Sequence, residues 1–167
     1  MRFNDSQNGN IFRITTTSPD QTRRLGQILG SLATPGMVMA LTGELGSGKT
    51  CLVQGLASGL DVPVTCDVVS PSYTLVNQYP GRLVLHHIDL YRITADDLDD
   101  IGLDEILAGD GVVAIEWAER LPPDFLGDHV VTVRMACLSA DDREIAIEGR
   151  GKYKNIARQI AHNMPDE

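Results

Sequence analysis

Hydrophobic positions recur along this chain in two periods, and the switching between them lays out a fold. Phe12 and Ile14 alternate with Arg13 and Thr15, the period of a half-buried strand. Ser18-Pro19-Asp20-Gln21 supplies an N-cap serine, a proline at the first helical position and a capping-box glutamine. Leu25, Ile28, Leu29 and Leu32 then fall on one helical face. Pro35-Gly36 turns the chain into the apolar run 37–41, as expected of a buried strand, and after a glycine-rich octet Leu52, Val53, Leu56, Ala57 and Leu60 return to helical spacing.

A polar connection through Pro63 leads to Ser70-Pro71-Ser72-Tyr73-Thr74. Two strand-like runs follow, 75–79 and 83–88, joined by Pro80-Gly81 as a hairpin. The stretch 94–105 reads as an acidic helix, and Val112-Val113-Ala114-Ile115 as a buried strand ending at Glu116-Trp117. Runs 130–136 and 144–148 predict a second hairpin around Ala140-Asp141-Asp142, and 153–162 a short C-terminal helix. Strands interleaved with helices imply an α/β fold: a sheet with helices on both faces, extended by β-hairpins, taking its ligand at the carboxyl ends of its strands.

The octet Gly43-Glu44-Leu45-Gly46-Ser47-Gly48-Lys49-Thr50 matches GxxxxGK[ST] in every fixed position, between a predicted strand and a predicted helix. The fold expected is therefore a P-loop NTPase-like sheet. Glycines let the backbone of Leu45, Gly46, Ser47 and Gly48 curl around phosphate oxygens at a helix N-terminus, whose dipole favours negative charge. Lys49 is the expected catalytic cation for the phosphates of ATP, and the Thr50 hydroxyl a ligand for Mg2+. Asp89 follows the run 83–88, and Glu116 follows 112–115, so both carboxylates emerge at the nucleotide end if those strands run parallel to the P-loop strand. One is expected to serve magnesium and the other the attacking water, and the pattern leaves open which does which. Trp117, beside Glu116, is a candidate at the same end. His86 and His87 lack a partner at metal-ligand spacing and read as structural groups or supports for the site.

The 167 residues predict one domain, with a polar, loose segment over 1–10 and no apolar run of the signal-peptide or membrane-spanning kind, so a cytoplasmic location is expected. Cys51, Cys66 and Cys137 form no CxxC pair and are expected to be reduced and partly buried. The net charge of −9 is the wrong sign for holding nucleic acid through phosphate neutralisation. Six acids and no base fall within 94–105, a solvated helix face or a docking edge for a basic partner. The scattered arginines after the P-loop offer no obvious built-in finger and no lid of the kind that small-molecule kinases close over their phosphates. A kinase, or a nucleotide-sensing protein without meaningful turnover, is the alternative reading.

The ordered set GELGSGKT, SPSYTLV (70–76), HIDLYR (87–92) and IEWAERLP (115–122) resembles the TsaE family, over roughly residues 11–150. That family is the P-loop ATPase component of bacterial tRNA threonylcarbamoyladenosine biosynthesis. The resemblance implies slow, Mg2+-dependent ATP hydrolysis in support of the complex, containing the TsaD and TsaB proteins, that modifies adenosine 37 of tRNA. Contact with tRNA would be indirect, and no membrane is involved. It implies that Thr50 and Glu116 are the magnesium-side residues, that Asp89 is an essential acid near them, and that Ser70 to Thr74 form a switch-like loop sensing the γ-phosphate. Ser72 stands where the family usually has threonine, which keeps a hydroxyl. By position, Ser18 and the turn at Asp142 would flank the adenine.

Overall fold

The computed structural model describes residues 2–5, 11–93, 98 and 101–164. Among the described residues eight strands form one sheet: β1 (Arg2–Asp5), β2 (Ile11–Thr16), β3 (Val38–Thr42), β4 (Val76–Tyr79), β5 (Leu85–Asp89), β6 (Val112–Glu116), β7 (Val130–Cys137) and β8 (Arg143–Gly149). Their spatial order is β1-β2-β8-β7-β3-β6-β5-β4. Neighbours β7, β3, β6 and β5 run parallel, while β4 and the β8-β2-β1 side are antiparallel additions. Both expected hairpins are present, as β4–β5 and β7–β8. The expectation of a loose N-terminus gives way at residues 2–5, which pair with β2 in register from Arg2 opposite Thr15 to Asp5 opposite Phe12. Edge pairing of this kind rests on backbone N–H and C=O groups, which carry no hydrophobic signature in the sequence.

Side-chain alternation on the parallel strands sorts the core into two layers. Met37, Met39 and Leu41 face one side together with Leu85, Val112 and Ala114, where they meet α1 (Pro19–Leu32), α2 (Lys49–Gly59) and α4 (Ile156–Asn163). Val38, Ala40, Ile88, Val113 and Ile115 face the other, under α3 (Leu103–Ala108) and the chain from Trp117 to Leu126. Burial on both faces is why these strands read as continuous apolar runs. Of the stretch 94–105 expected as an acidic helix, Leu103 to Glu105 lie in α3 and Leu98 in a turn; residues 94–97, 99 and 100 lie outside the described residues.

The first helix starts as its cap residues dictate. Ser18 Oγ accepts from Gln21 N at 3.3 Å, and Gln21 Oε1 accepts from Thr17 N at 2.9 Å. Between α1 and α2 the backbones nearly touch: a Cβ on Gly26 would meet Leu52 O at 2.1 Å, and one on Gly55 would meet Arg23 O at 2.0 Å. Gly30 and Gly59 repeat the arrangement one turn on, so four glycines at i, i+4 spacing let the two helices pack face to face.

Candidate functional site

The octet forms the connection from β3 into α2, at the carboxyl ends of the parallel strands. Gly43, Gly46 and Gly48 have φ of 138°, 79° and 98°, which favour glycine at each. At Gly43 there is no room either, since a Cβ would sit 2.2 Å from Met135 O. Ser47 is fully buried and Leu45 projects into solvent. Gly48 caps α2, whose free N–H groups and dipole make this turn a seat for anions. Cys137 at the end of β7 donates its thiol to Gly46 O at 3.5 Å, bringing the β7–β8 hairpin against the loop.

Lys49 is 4% exposed, and its ammonium donates to Gly43 O at 2.6 Å, Glu44 O at 3.0 Å and Ser47 Oγ at 3.4 Å. The ring of Trp117 covers it, with Nζ 4.0 Å from the ring centroid. Burial pushes the lysine below its ordinary pKa of 10.5, and the carboxylates of Glu116, Glu119 and Asp89 oppose that shift. A cation at a helix N-terminus, bonded only to neutral oxygens, remains available to an anionic ligand.

Period 2 along the strands explains how the acids converge. His87 and Asp89 lie on the same face of β5 as Leu85, and Glu116 on the same face of β6 as Ala114, the face that α2 covers. Asp89 and Glu116 are paired in register, and each is 3% exposed. Glu116 Oε1 accepts from Thr50 Oγ1 at 2.8 Å and lies 2.8 Å from His87 Nε2. Asp89 is taken by the other loop: its Oδ2 accepts from Ser70 Oγ and, at 2.8 Å, from Ser72 Oγ, and its Oδ1 from Tyr91 N at 2.9 Å. The two carboxylates thus belong to different partners, Glu116 to the first turn of α2 and Asp89 to the 70–72 loop.

Not every expected residue joins them. Thr74 is exposed, and its hydroxyl bonds Asn77 Oδ1 at 2.8 Å, while Ser72 takes the place beside Ser70. Ser18 Oγ is engaged in capping α1, although Pro19 O accepts from the thiol of Cys51 at 3.3 Å and so sets this helix start beside α2's first turn. Asp142 sits in the β7–β8 turn, where its backbone carbonyl accepts from Leu138 N at 3.0 Å and from Arg143 Nη1 at 3.0 Å. Among the described residues neither Ser18 nor Asp142 hydrogen-bonds the loop 43–50 through its side chain. Cys137 is exposed, where partial burial was expected, as are its neighbours Ala136 and Leu138 at the end of β7.

Sequence order concealed Tyr91 and Arg120. The Tyr91 ring packs on Trp117 with centroids 4.9 Å apart, and the Arg120 guanidinium lies 5.6 Å from the Tyr91 centroid and 5.9 Å from that of Trp117. An arginine is therefore near the site after all. Its only signal was its place three residues beyond Trp117, across the turn Ala118–Arg120.

Comparison with known proteins points to one family. A family model described as "Threonylcarbamoyl adenosine biosynthesis protein TsaE" matches residues 16–145. The chain is 40% identical to the tRNA threonylcarbamoyladenosine biosynthesis protein TsaE of Treponema pallidum, covering 81% of this chain and 98% of that protein. It is 36% identical to the Bacillus subtilis protein of the same name, over 89% and 92% of the two chains. The crystal structure of Bacillus subtilis YdiB superposes with a TM-score of 0.74 at 29% identity, covering 94% of this chain and 98% of the other.

Proposed function

The chain belongs to the TsaE family, and from that premise we propose that it is the ATP-binding, slowly hydrolysing subunit that supports threonylcarbamoylation of tRNA adenosine 37. The observation that carries this reading is the contact of Thr50 Oγ1 with Glu116 Oε1, next to Lys49 and one strand from Asp89. Glycines with positive φ and a helix N-terminus suit phosphate oxygens, and a hydroxyl–carboxylate pair suits a hard cation that completes its shell with phosphates and water. The residues therefore fit magnesium ATP. Magnesium, when bound, supplies positive charge against the charge developing on the phosphoryl oxygens.

Each residue has a distinct part in this reading. Lys49 binds the β- and γ-phosphates, and Thr50 and Glu116 hold the metal. Asp89 orients the attacking water once Ser70 and Ser72 release it, and Trp117 keeps bulk water from Lys49. The 70–72 loop senses the γ-phosphate because its hydroxyls grip the carboxylate that hydrolysis needs. The partners proposed are the TsaD and TsaB proteins, with tRNA reached through them, in the cytoplasm. No helix among the described residues is long and apolar enough to cross a membrane.

Measuring released phosphate from ATP, with and without that complex, tests the proposal. Slow magnesium-dependent release that the complex accelerates, and that Lys49→Ala abolishes in a folded chain, is the expected result. Transfer of the phosphoryl group to a small acceptor instead of water, or undiminished release by the folded Lys49→Ala variant, would overturn it.

A further inference from the structure

The buried histidine beside Glu116 has no part in the chemistry outlined above. His87 is fully buried in the middle of β5, opposite Asn77 on β4 and Ala114 on β6. Its Nε2 lies 2.8 Å from Glu116 Oε1, and its Nδ1 is buried with no hydrogen-bond partner. The contact with Glu116 fixes the tautomer. Nδ1 lacks a partner in either tautomer, but a proton there would set the Nε2 lone pair against a carboxylate oxygen, whereas a proton on Nε2 satisfies the contact. Nε2–H therefore donates to Oε1, on the same oxygen that receives the Thr50 hydroxyl.

Resting on the magnesium ATP reading, we propose that His87 is a positioning residue that holds the Glu116 carboxylate beside Thr50 from the sheet side. Thr50 approaches from α2, which carries the phosphate loop, whereas His87 stands on the neighbouring strand. The histidine is thus the donor that stays when Thr50 turns to a ligand. Two donors hold Oε1 in place, and Oε2 bears no hydrogen bond among the described residues. Donors of this kind behind a metal-side carboxylate typically change metal affinity or activity by about 10–100-fold when removed.

The test compares His87→Leu, His87→Gln and His87→Asn by calorimetry of ADP binding with and without magnesium, alongside magnesium titrations of ATP hydrolysis. A glutamine amide reaches the position of Nε2, and an asparagine amide stops at that of Nδ1. His87→Leu and His87→Asn should keep ADP affinity without magnesium, lose most of the magnesium-linked gain, and need about 10–100-fold more magnesium for half-maximal rate. His87→Gln should recover to within a few-fold of the parent. A parent with a magnesium-linked gain that His87→Leu retains overturns the proposal alone, as does failure of His87→Gln to recover with melting temperatures lowered equally in all three. A parent with neither magnesium-linked gain nor hydrolysis overturns the functional reading, and the proposal with it.

Discussion

Trp117 stands at the end of β6 with φ 61° and ψ 37°, a left-handed backbone that a bulky aromatic adopts at a cost of about 1–3 kcal/mol. Its ring contacts with Lys49 and Tyr91 hold it there. Replacing it by Gly removes ring and strain together, while Ala removes the ring and keeps the strain. The Ala variant should therefore be less stable than the Gly variant by about 1 kcal/mol in urea unfolding followed by circular dichroism. An Ala variant as stable as the Gly variant would mean that the backbone is not left-handed in solution. Lys49 gives a second prediction at this scale. Its pKa is lowered in the fold from 10.5, chiefly by burial, so the charged lysine weighs against folding at neutral pH. Between the lowered value and 10.5 the unfolded chain binds more protons, and stability climbs with pH. Lys49→Met lacks that climb. Urea midpoints taken from neutral pH up to 10.5 should shift in the parent's favour relative to the variant, and a pH-independent gap would count against a desolvated ammonium.

Helices α1 and α2 meet through glycines whose added Cβ would lie 2.0–2.4 Å from carbonyl oxygens of the facing helix. Backbone cannot yield there as a side chain does. Gly55→Ala should cost about 1–3 kcal/mol or more, lowering the melting temperature by about 2–4 °C for each kcal/mol. Gly109→Ala is the control, with ordinary φ and its nearest neighbour at 3.4 Å, and should melt close to the parent. Equal melting of the two variants would place the helices farther apart than described. This packing was not legible in the sequence, where Gly26, Gly30, Gly55 and Gly59 read only as weak helix formers. What was legible followed from periodicity: the buried run 37–41, the capped start of α1 and both hairpins. The octet and the two strand-end acids were legible for the same reason, because parallel strands deliver their last residues to one edge. The pairing of Glu116 with His87, the choice of Ser72 over Thr74 and the approach of Arg120 depend on the diagonal geometry of neighbouring strands and on loop turns, which no single-chain period encodes.

Across the whole molecule the net charge of −9 sets expectations for partners. The purified chain should fail to retain tRNA at physiological salt, because it offers few cations to release counterions. Reversing Asp96, Asp97, Asp99 and Asp100, which lie outside the described residues, should weaken stimulation of phosphate release by the transferase complex and leave the basal rate alone. Full stimulation of that variant would remove the stretch from docking. The glycine contact between α1 and α2 has a mechanical consequence at this scale. Two helices locked backbone to backbone behave as an anvil under the glycine-rich loop, so a blow delivered there by the proposed hydrolysis is not absorbed between them. The displacement has to leave through groups held by side chains that can let go: the 70–72 clasp on Asp89, the Trp117 turn and, in the opposite layer, α3.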